Sequence, residues 1–346
     1  MKKSKIANVL GFIATLYFFV FSLTLIKVSS ASLGEAIFSL TRNEISEINA
    51  FGFGWLASLV TQSSGAAAAT LIIFNLAGVI GPVILIYMII GTRIGTSITA
   101  LFVAFLVHAK RRDFRHGFEI GLANLVYAIP IAILMLLVEF FTGFFYKTGN
   151  YFMVFDSKFT PDFIEMIISP LINLLSFIPD NLNILLGIFI LIISLKNIPK
   201  FMINIWGEDY LKGKINKFLG KKWKSFMLGM GVTALLMSTS ITITFLIPLI
   251  VTRITKLKKV IPYMIGANLG GVSEIVLGGI VLGGCALPAV FTYVSFSVIG
   301  LLWMLNTDLL WKITKFISKK TLHISRKRAL VFIIIFVLMA VILSFI

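Results

Sequence analysis

Residues 51–76 read FGFGWLASLVTQSSGAAAATLIIFNL, two apolar stretches with the polar cluster Gln62-Ser63-Ser64-Gly65 between them. An unbroken run of that length would be an ordinary membrane span of about 20 residues. The cluster argues against one, because a helix break in lipid leaves backbone N–H and C=O groups unpaired at several kcal/mol each. Such a break is tolerated only where protein, water or a bound ion satisfies it. Residues 226–252 repeat the design, with Ser238-Thr239-Ser240 interrupting a second apolar stretch. Both stretches therefore read as re-entrant helical hairpins. From Gly52 to Gln62 a helix rises about 16 Å, half of a ~30 Å hydrocarbon core, so the turn reaches the midplane.

Outward from these hairpins the chain is lipid-adapted: of 346 residues, 58% are hydrophobic and 13% charged, which excludes a soluble domain. Cys285 stands alone, and three histidines without ligand spacing offer no clustered site for zinc, haem or iron–sulfur. Seven spans fall near 6–27, 79–107, 117–146, 181–198, 260–284, 286–306 and 329–346. With the N-terminus in the cytoplasm, the segments 1–5, 108–116, 199–225, 253–259 and 307–328 lie inside. Together with Lys196 at the end of the fourth span they hold 26 of the 31 basic residues, as positive-inside topology requires. Counting either hairpin as a full span would invert the later loops and break that pattern. The first segment also has features of a signal peptide, with small residues Val28-Ser29-Ser30-Ala31-Ser32 after it. Its run of about 21 apolar residues exceeds a signal core, and it reads as a span.

A shift of 175 residues lays Gly54 on Gly229, Ser58 on Thr233, Ser63 on Ser238, Ser64 on Thr239, Gly91 on Gly266 and Gly95 on Gly270 without a gap. The expected fold is an all-α integral membrane protein, an inverted-repeat secondary transporter with two re-entrant hairpins and two interrupted spans. Residues 1–146 form the first repeat, 147–180 an external connection, 181–306 the second repeat, and 307–346 a basic loop with one extra C-terminal span.

The half-helix after Ser64 aims free N–H groups and its dipole at the midplane, where they suit an anion, while Ser and Gln oxygens suit a hard cation. Gly91 and Gly95 are expected to let the next span unwind, with Thr92, Thr96 and Ser97 contributing hydroxyls. The second half offers Asn268 and Ser273 at the corresponding place. Here the chain resembles the sodium/phosphate cotransporter family, the type II class and its bacterial relatives. Thr61-Gln62-Ser63-Ser64 and Gly91-Thr92-Arg93-Ile94-Gly95-Thr96 carry the likeness to the family's Gln-Ser-Ser-Ser and Gly-Ala-Asn-Ile-Gly-Thr signatures, with degenerate copies at 237–240 and 266–271. The resemblance implies sodium-driven import of inorganic phosphate, with Gln62, Ser63, Ser64, Ser238, Thr239 and Ser240 lining one central site. It implies coupling sodium at Gln62, Ser63, Thr96, Ser238 and Thr239, and no other cofactor.

Three departures matter. Gly65 stands where the family has a third serine, Met237 where Gln62 has its counterpart, and Arg93 where the family has asparagine. Arg93 reads as the one basic residue deep in a span, a cost of roughly 2.5–3.5 kcal/mol that demands a partner or cavity. It either grips an oxyanion with its planar fork or replaces a sodium ion as fixed counter-charge. Glu274, the one acid near the midplane, either pairs with Arg93, binds a cation or carries a proton.

The expected activity is therefore transport of inorganic phosphate or a related oxyanion, with a sodium-independent or proton-coupled carrier as runner-up. A membrane enzyme acting on a lipid-linked phosphate would need a base near the serines, and the sequence offers none. Nothing points to nucleic acid, and the basic loops read as topology determinants without partners. The protein is expected in the inner or plasma membrane, C-terminus outside; homodimers are common among such bundles.

Overall fold

The computed structural model describes residues 2–29, 45–107, 111–153, 162–207, 213, 217–219, 221–251, 255–321 and 326–346. Residues 30–32 of the signal-peptide alternative, His108, His323 and parts of the basic segments lie outside these. The described residues are helical, with no strand among them. Seven helices are long and apolar enough to cross a membrane, at Ile6–Ile26, Pro82–Phe105, Phe114–Thr142, Leu182–Trp206, Leu257–Leu282, Leu287–Leu305 and Arg326–Phe345. Each of the two stretches expected as hairpins is broken into helices too short to span.

The chain begins with α1 (Lys2–Ser29), the first hairpin pair α2 (Glu47–Thr61) and α3 (Ser64–Leu76), and the interrupted pair α4 (Pro82–Gly95) and α5 (Ile98–Val107). It continues through α6 (Arg111–Thr142), α7 (Phe144–Met153), α8 (Asp162–Leu174) and α9 (Asp180–Trp206). The second half repeats the order with α10 (Lys222–Leu236), the short pieces α11 (Thr239–Thr244) and α12 (Leu246–Val251), then α13 (Leu257–Gly270) and α14 (Val272–Leu282). It closes with α15 (Leu287–Ile299), α16 (Leu302–Leu305), α17 (Thr307–Phe316) and α18 (Arg326–Phe345).

Local chemistry explains both turns. Gln62 (φ 56°) and Met237 (φ 48°) end α2 and α10 in the left-handed region, each the C-cap of its helix. Ser63 and Ser238 follow in extended conformation and cap the next helices, accepting from Ala66 N at 3.1 Å and Ile241 N at 3.4 Å. An N-cap serine satisfies one of the free donors that a helix start otherwise leaves bare.

The interrupted spans break after Gly95, at Thr96-Ser97, and at Gly271, so Gly91 does not unwind its helix as expected. These glycines instead admit a neighbouring backbone. A Cβ on Gly91 would strike the Phe51 carbonyl, on Gly95 the Trp55 carbonyl, and on Gly54 the Met88 carbonyl. The second half repeats each contact 175 residues later, as Gly266 on Phe226, Gly270 on Met230 and Gly229 on Tyr263. Phe51 beside Gly91 and Trp55 beside Gly95 advance together, so α2 and α4 run parallel and the chain between them turns back along α3.

The last helix has no counterpart. It packs on α2, where Gly52 meets the Leu343 and Ser344 backbone and Trp55 lies 4.6 Å from the Phe336 ring. The residue equivalent to Gly52 is Met227, which is exposed. Helix α1 packs antiparallel to α9, with Gly11 against Phe201 and Gly187 against Ile26, the place of a span.

Within the basic segment 307–328, Lys315 and Ser318 are held by an acid of α6. Glu119 of α6, fully buried, accepts from Lys315 at 2.5 Å, Ser318 Oγ at 2.7 Å and Arg115 Nε at 3.3 Å, with His116 Nδ1 3.6 Å away. This clasp holds α17 and the turn after it to the end of α6. Glu119→Gln is expected to cost about 2–3 kcal/mol, the range for hydrogen bonds to a charged group. Recovery of monodisperse protein after heating, measured by size exclusion, should fall at a lower temperature than for the wild type.

Candidate functional site: two pockets at the hairpin tips

The two turns meet. Ser240 Oγ donates to the Gln62 carbonyl at 3.4 Å, joining the helix break at 62–63 to the one at 237–238. On either side of this contact lies a pocket, and successive residues of each turn face opposite ways. Ser64 and Thr239 line the first pocket, Ser63 and Ser238 the second, and Ser240 reaches both.

Arg93 dominates the first pocket. It sits in the last turn of α4 and is only 5% exposed. Its Nη2 donates to Ser297 Oγ at 3.1 Å and to the Asn268 carbonyl at 3.4 Å. Its guanidinium lies 4.3 Å from the Tyr293 ring centre and 5.0 Å from that of Phe296, both on α15. Aromatic faces stabilise a desolvated guanidinium without neutralising it. Among the described residues no carboxylate lies within ion-pair distance of Arg93, and its Nε has no partner. The Glu274 carboxylate acts on it through space without pairing with it, and a buried cation with a free donor in the membrane interior is costly unless an anion meets it.

The walls of this pocket are polar. Asn268 Nδ2 donates to Asn124 Oδ1 at 2.9 Å, and Asn124 Nδ2 to Ser97 Oγ at 3.2 Å. Ser64 Oγ shares a 2.6 Å hydrogen bond with Tyr293 OH, while Thr239 Oγ1 is buried without a partner. Thr96 also lines the space. The volume of about 10 Å³ holds about one water, so a tetrahedral oxyanion does not fit the pocket in this conformation.

Glu274 belongs to the second pocket. Its Oε1 accepts from Ser63 Oγ at 2.5 Å, and its carboxylate lies at the amides of Gly65 and Ala66, the start of α3. The anion at this helix N-terminus is the protein's own. Gly65 leaves room for it, since a Cβ there would meet the Glu274 carboxylate and displace it from this place. The missing third serine and the buried acid are thus one feature. No base was legible beside the serines, yet the structure puts a carboxylate on Ser63; that serine is a helix cap rather than a free nucleophile. Gln62, Thr99, Ser238, Ser240 and Lys196 complete a volume of about 130 Å³.

A family model described as Na+/Pi-cotransporter matches residues 12–155 and 190–317. The chain belongs to this family. No curated protein and no solved structure gives a significant match. Membership and the seven apolar helices make the cotransporter relative a multi-pass membrane protein of a transport family, with phosphate and sodium as the family's substrate and coupling ion.

The structure gathers most of the residues singled out by sequence around the two pockets, but not all. Thr92 is fully buried and its hydroxyl donates to the Ile89 carbonyl of its own helix at 2.7 Å. Ser273 donates to the Ala234 carbonyl at 3.3 Å. Neither lines either pocket, and nor does Ser97, which stands behind Asn124. Asn124, Tyr293 and Ser297 were missed; Asn124 alone carried a signal, as a polar residue inside an apolar span. Lys196 was placed at the end of the fourth span, whereas α9 continues to Trp206 and the span covers Leu182–Trp206. Arg93 is therefore not the one basic residue deep in a span. The physical reason is that Lys196 faces a cavity, so its charge does not terminate the helix.

Proposed function

We propose that the protein is a secondary active transporter of inorganic phosphate or a related oxyanion, coupled to sodium and working by alternating access at the two tips. The observation that carries this is Arg93, a buried guanidinium that forms no ion pair among the described residues and has a free Nε, facing hydroxyl and amide groups. Its planar fork suits a tetrahedral oxyanion, and Ser64, Thr239 and Asn268 stand beside it to complete the shell. In this reading the substrate displaces the tip contact between Ser240 and Gln62. Residues 1–146 and 181–306 act as inverted repeats, each hairpin re-entering from its own side. The recurrence of the glycine contacts at one offset supports that, and the 25 of 31 basic residues that fall in the five segments 1–5, 108–116, 199–225, 253–259 and 307–328 support a cytoplasmic N-terminus and external C-terminus.

A sodium-independent or proton-coupled carrier is the second reading. Met237 brings no oxygen to its turn, and Glu274 fills the place of the lost serine. Uptake of labelled phosphate into proteoliposomes under sodium, potassium and proton gradients separates the two. Sodium-driven accumulation is expected, with Ser64→Ala lowering it at least about tenfold through loss of a buried hydrogen bond in the substrate shell. No phosphate movement under any gradient would end the reading.

A further inference from the structure

The 130 Å³ cavity beside the tips contains a charge that oxyanion binding at Arg93 does not use. Lys196 lines it, and so does Ile192 one turn earlier, which places this face of α9 toward the cavity. The residue lies about 15 Å of helix before Trp206. Across the cavity stand the Glu274 carboxylate, the hydroxyls of Ser63 and Ser238 and the Gln62 side chain. Thr99 Oγ1, buried on the same wall, has no partner. Carboxylate, hydroxyl and amide oxygens around a small cavity form a donor set for a hard monovalent cation. Among the described residues Lys196 forms no ion pair, so it and Glu274 share a cavity without touching.

We propose that Lys196 is a tethered competitor for the coupling cation, its ammonium taking the cation's place against Glu274 when the carrier is empty. This rests on the transport reading above and names the cavity's coupling chemistry. The two cations carry the same charge, so the buried carboxylate is compensated whichever is present. A flexible four-carbon stem lets the ammonium move between the cavity and the carboxylate. Tethering gives it an effective concentration in the millimolar range or above, against which free sodium must compete. An empty carrier then resets without dragging an uncompensated charge through the membrane.

The test is a sodium titration of thermal unfolding on the full-length protein in detergent, with choline chloride holding ionic strength constant. Lys196→Gln is expected to lower the half-maximal sodium concentration about tenfold, the scale of a lost tethered competitor. Lys196→Arg should stay near wild type and Glu274→Gln should abolish the response. Lys196→Met, which keeps the stem's packing, makes the same comparison if the glutamine variant does not purify. Equal midpoints in wild type and both neutral variants, or a flat titration in all of them, overturn the proposal. Failure of wild-type phosphate uptake under every gradient would instead remove the transport reading and leave the titration result standing.

Discussion

Arg93→Lys is expected to lower phosphate uptake into proteoliposomes at least about thirtyfold, while folded protein is still recovered from the membrane. Removing one partner of a buried, hydrogen-bonded charge contact costs about 2–5 kcal/mol, and each 1.4 kcal/mol is tenfold. Lysine keeps the charge but loses what positions it. The guanidinium lies 4.3 Å from the Tyr293 ring centre and 5.0 Å from that of Phe296 while Nη2 holds Ser297 and the Asn268 carbonyl, leaving Nε without a partner. An ammonium has no such plane and no fork. Arg93→Gln should give no measurable uptake, and adding Glu274→Gln should not restore it. Recovery in that double variant would make the arginine a structural partner of the acid, and wild-type uptake in Arg93→Lys would take the substrate elsewhere.

The second large effect is at Gly65. Gly65→Ser restores the family's third serine, yet it is expected to destabilise this chain, because the new side chain occupies the volume of the Glu274 carboxylate. Overpacking of this kind costs about 1–3 kcal/mol. The displaced carboxylate also loses Ser63 Oγ and the amides at the start of α3. The variant's unfolding temperature and uptake should both fall. Adding Glu274→Thr, the residue type that Thr99 supplies at the equivalent place in the first half, should return the unfolding temperature toward wild type. A single Gly65→Ser variant as stable as the parent would show that Glu274 does not depend on the glycine.

The tips were legible because lipid makes a polar break expensive: Gln62-Ser63-Ser64 and Ser238-Thr239-Ser240 could not sit in apolar stretches without structural cause. The seven long helices were legible for the same reason. What the glycines do was not. Periodicity locates Gly91 and Gly95 but does not show that both admit a neighbouring backbone while the helix breaks only after Gly95. Lys196 was misplaced because a charge near the end of an apolar run looks like its boundary; only the cavity reveals that the helix runs on. The dependence of Gly65 on Glu274 joins positions 209 residues apart, beyond any local pattern.

Positions one repeat apart also touch each other: Arg93 donates to the carbonyl of Asn268. A true twofold would put the same residue on both sides of that contact, yet here arginine meets asparagine, and Gln62 has Met237 as its equivalent. In a carrier whose two open states exchange the roles of its halves, those states would then be unlike. Their substrate affinities would differ from face to face, and the unloaded and loaded return steps would run at different speeds. Such a machine is a rectifier in rate although never in equilibrium, filling one compartment faster than it drains it under equal and opposite gradients.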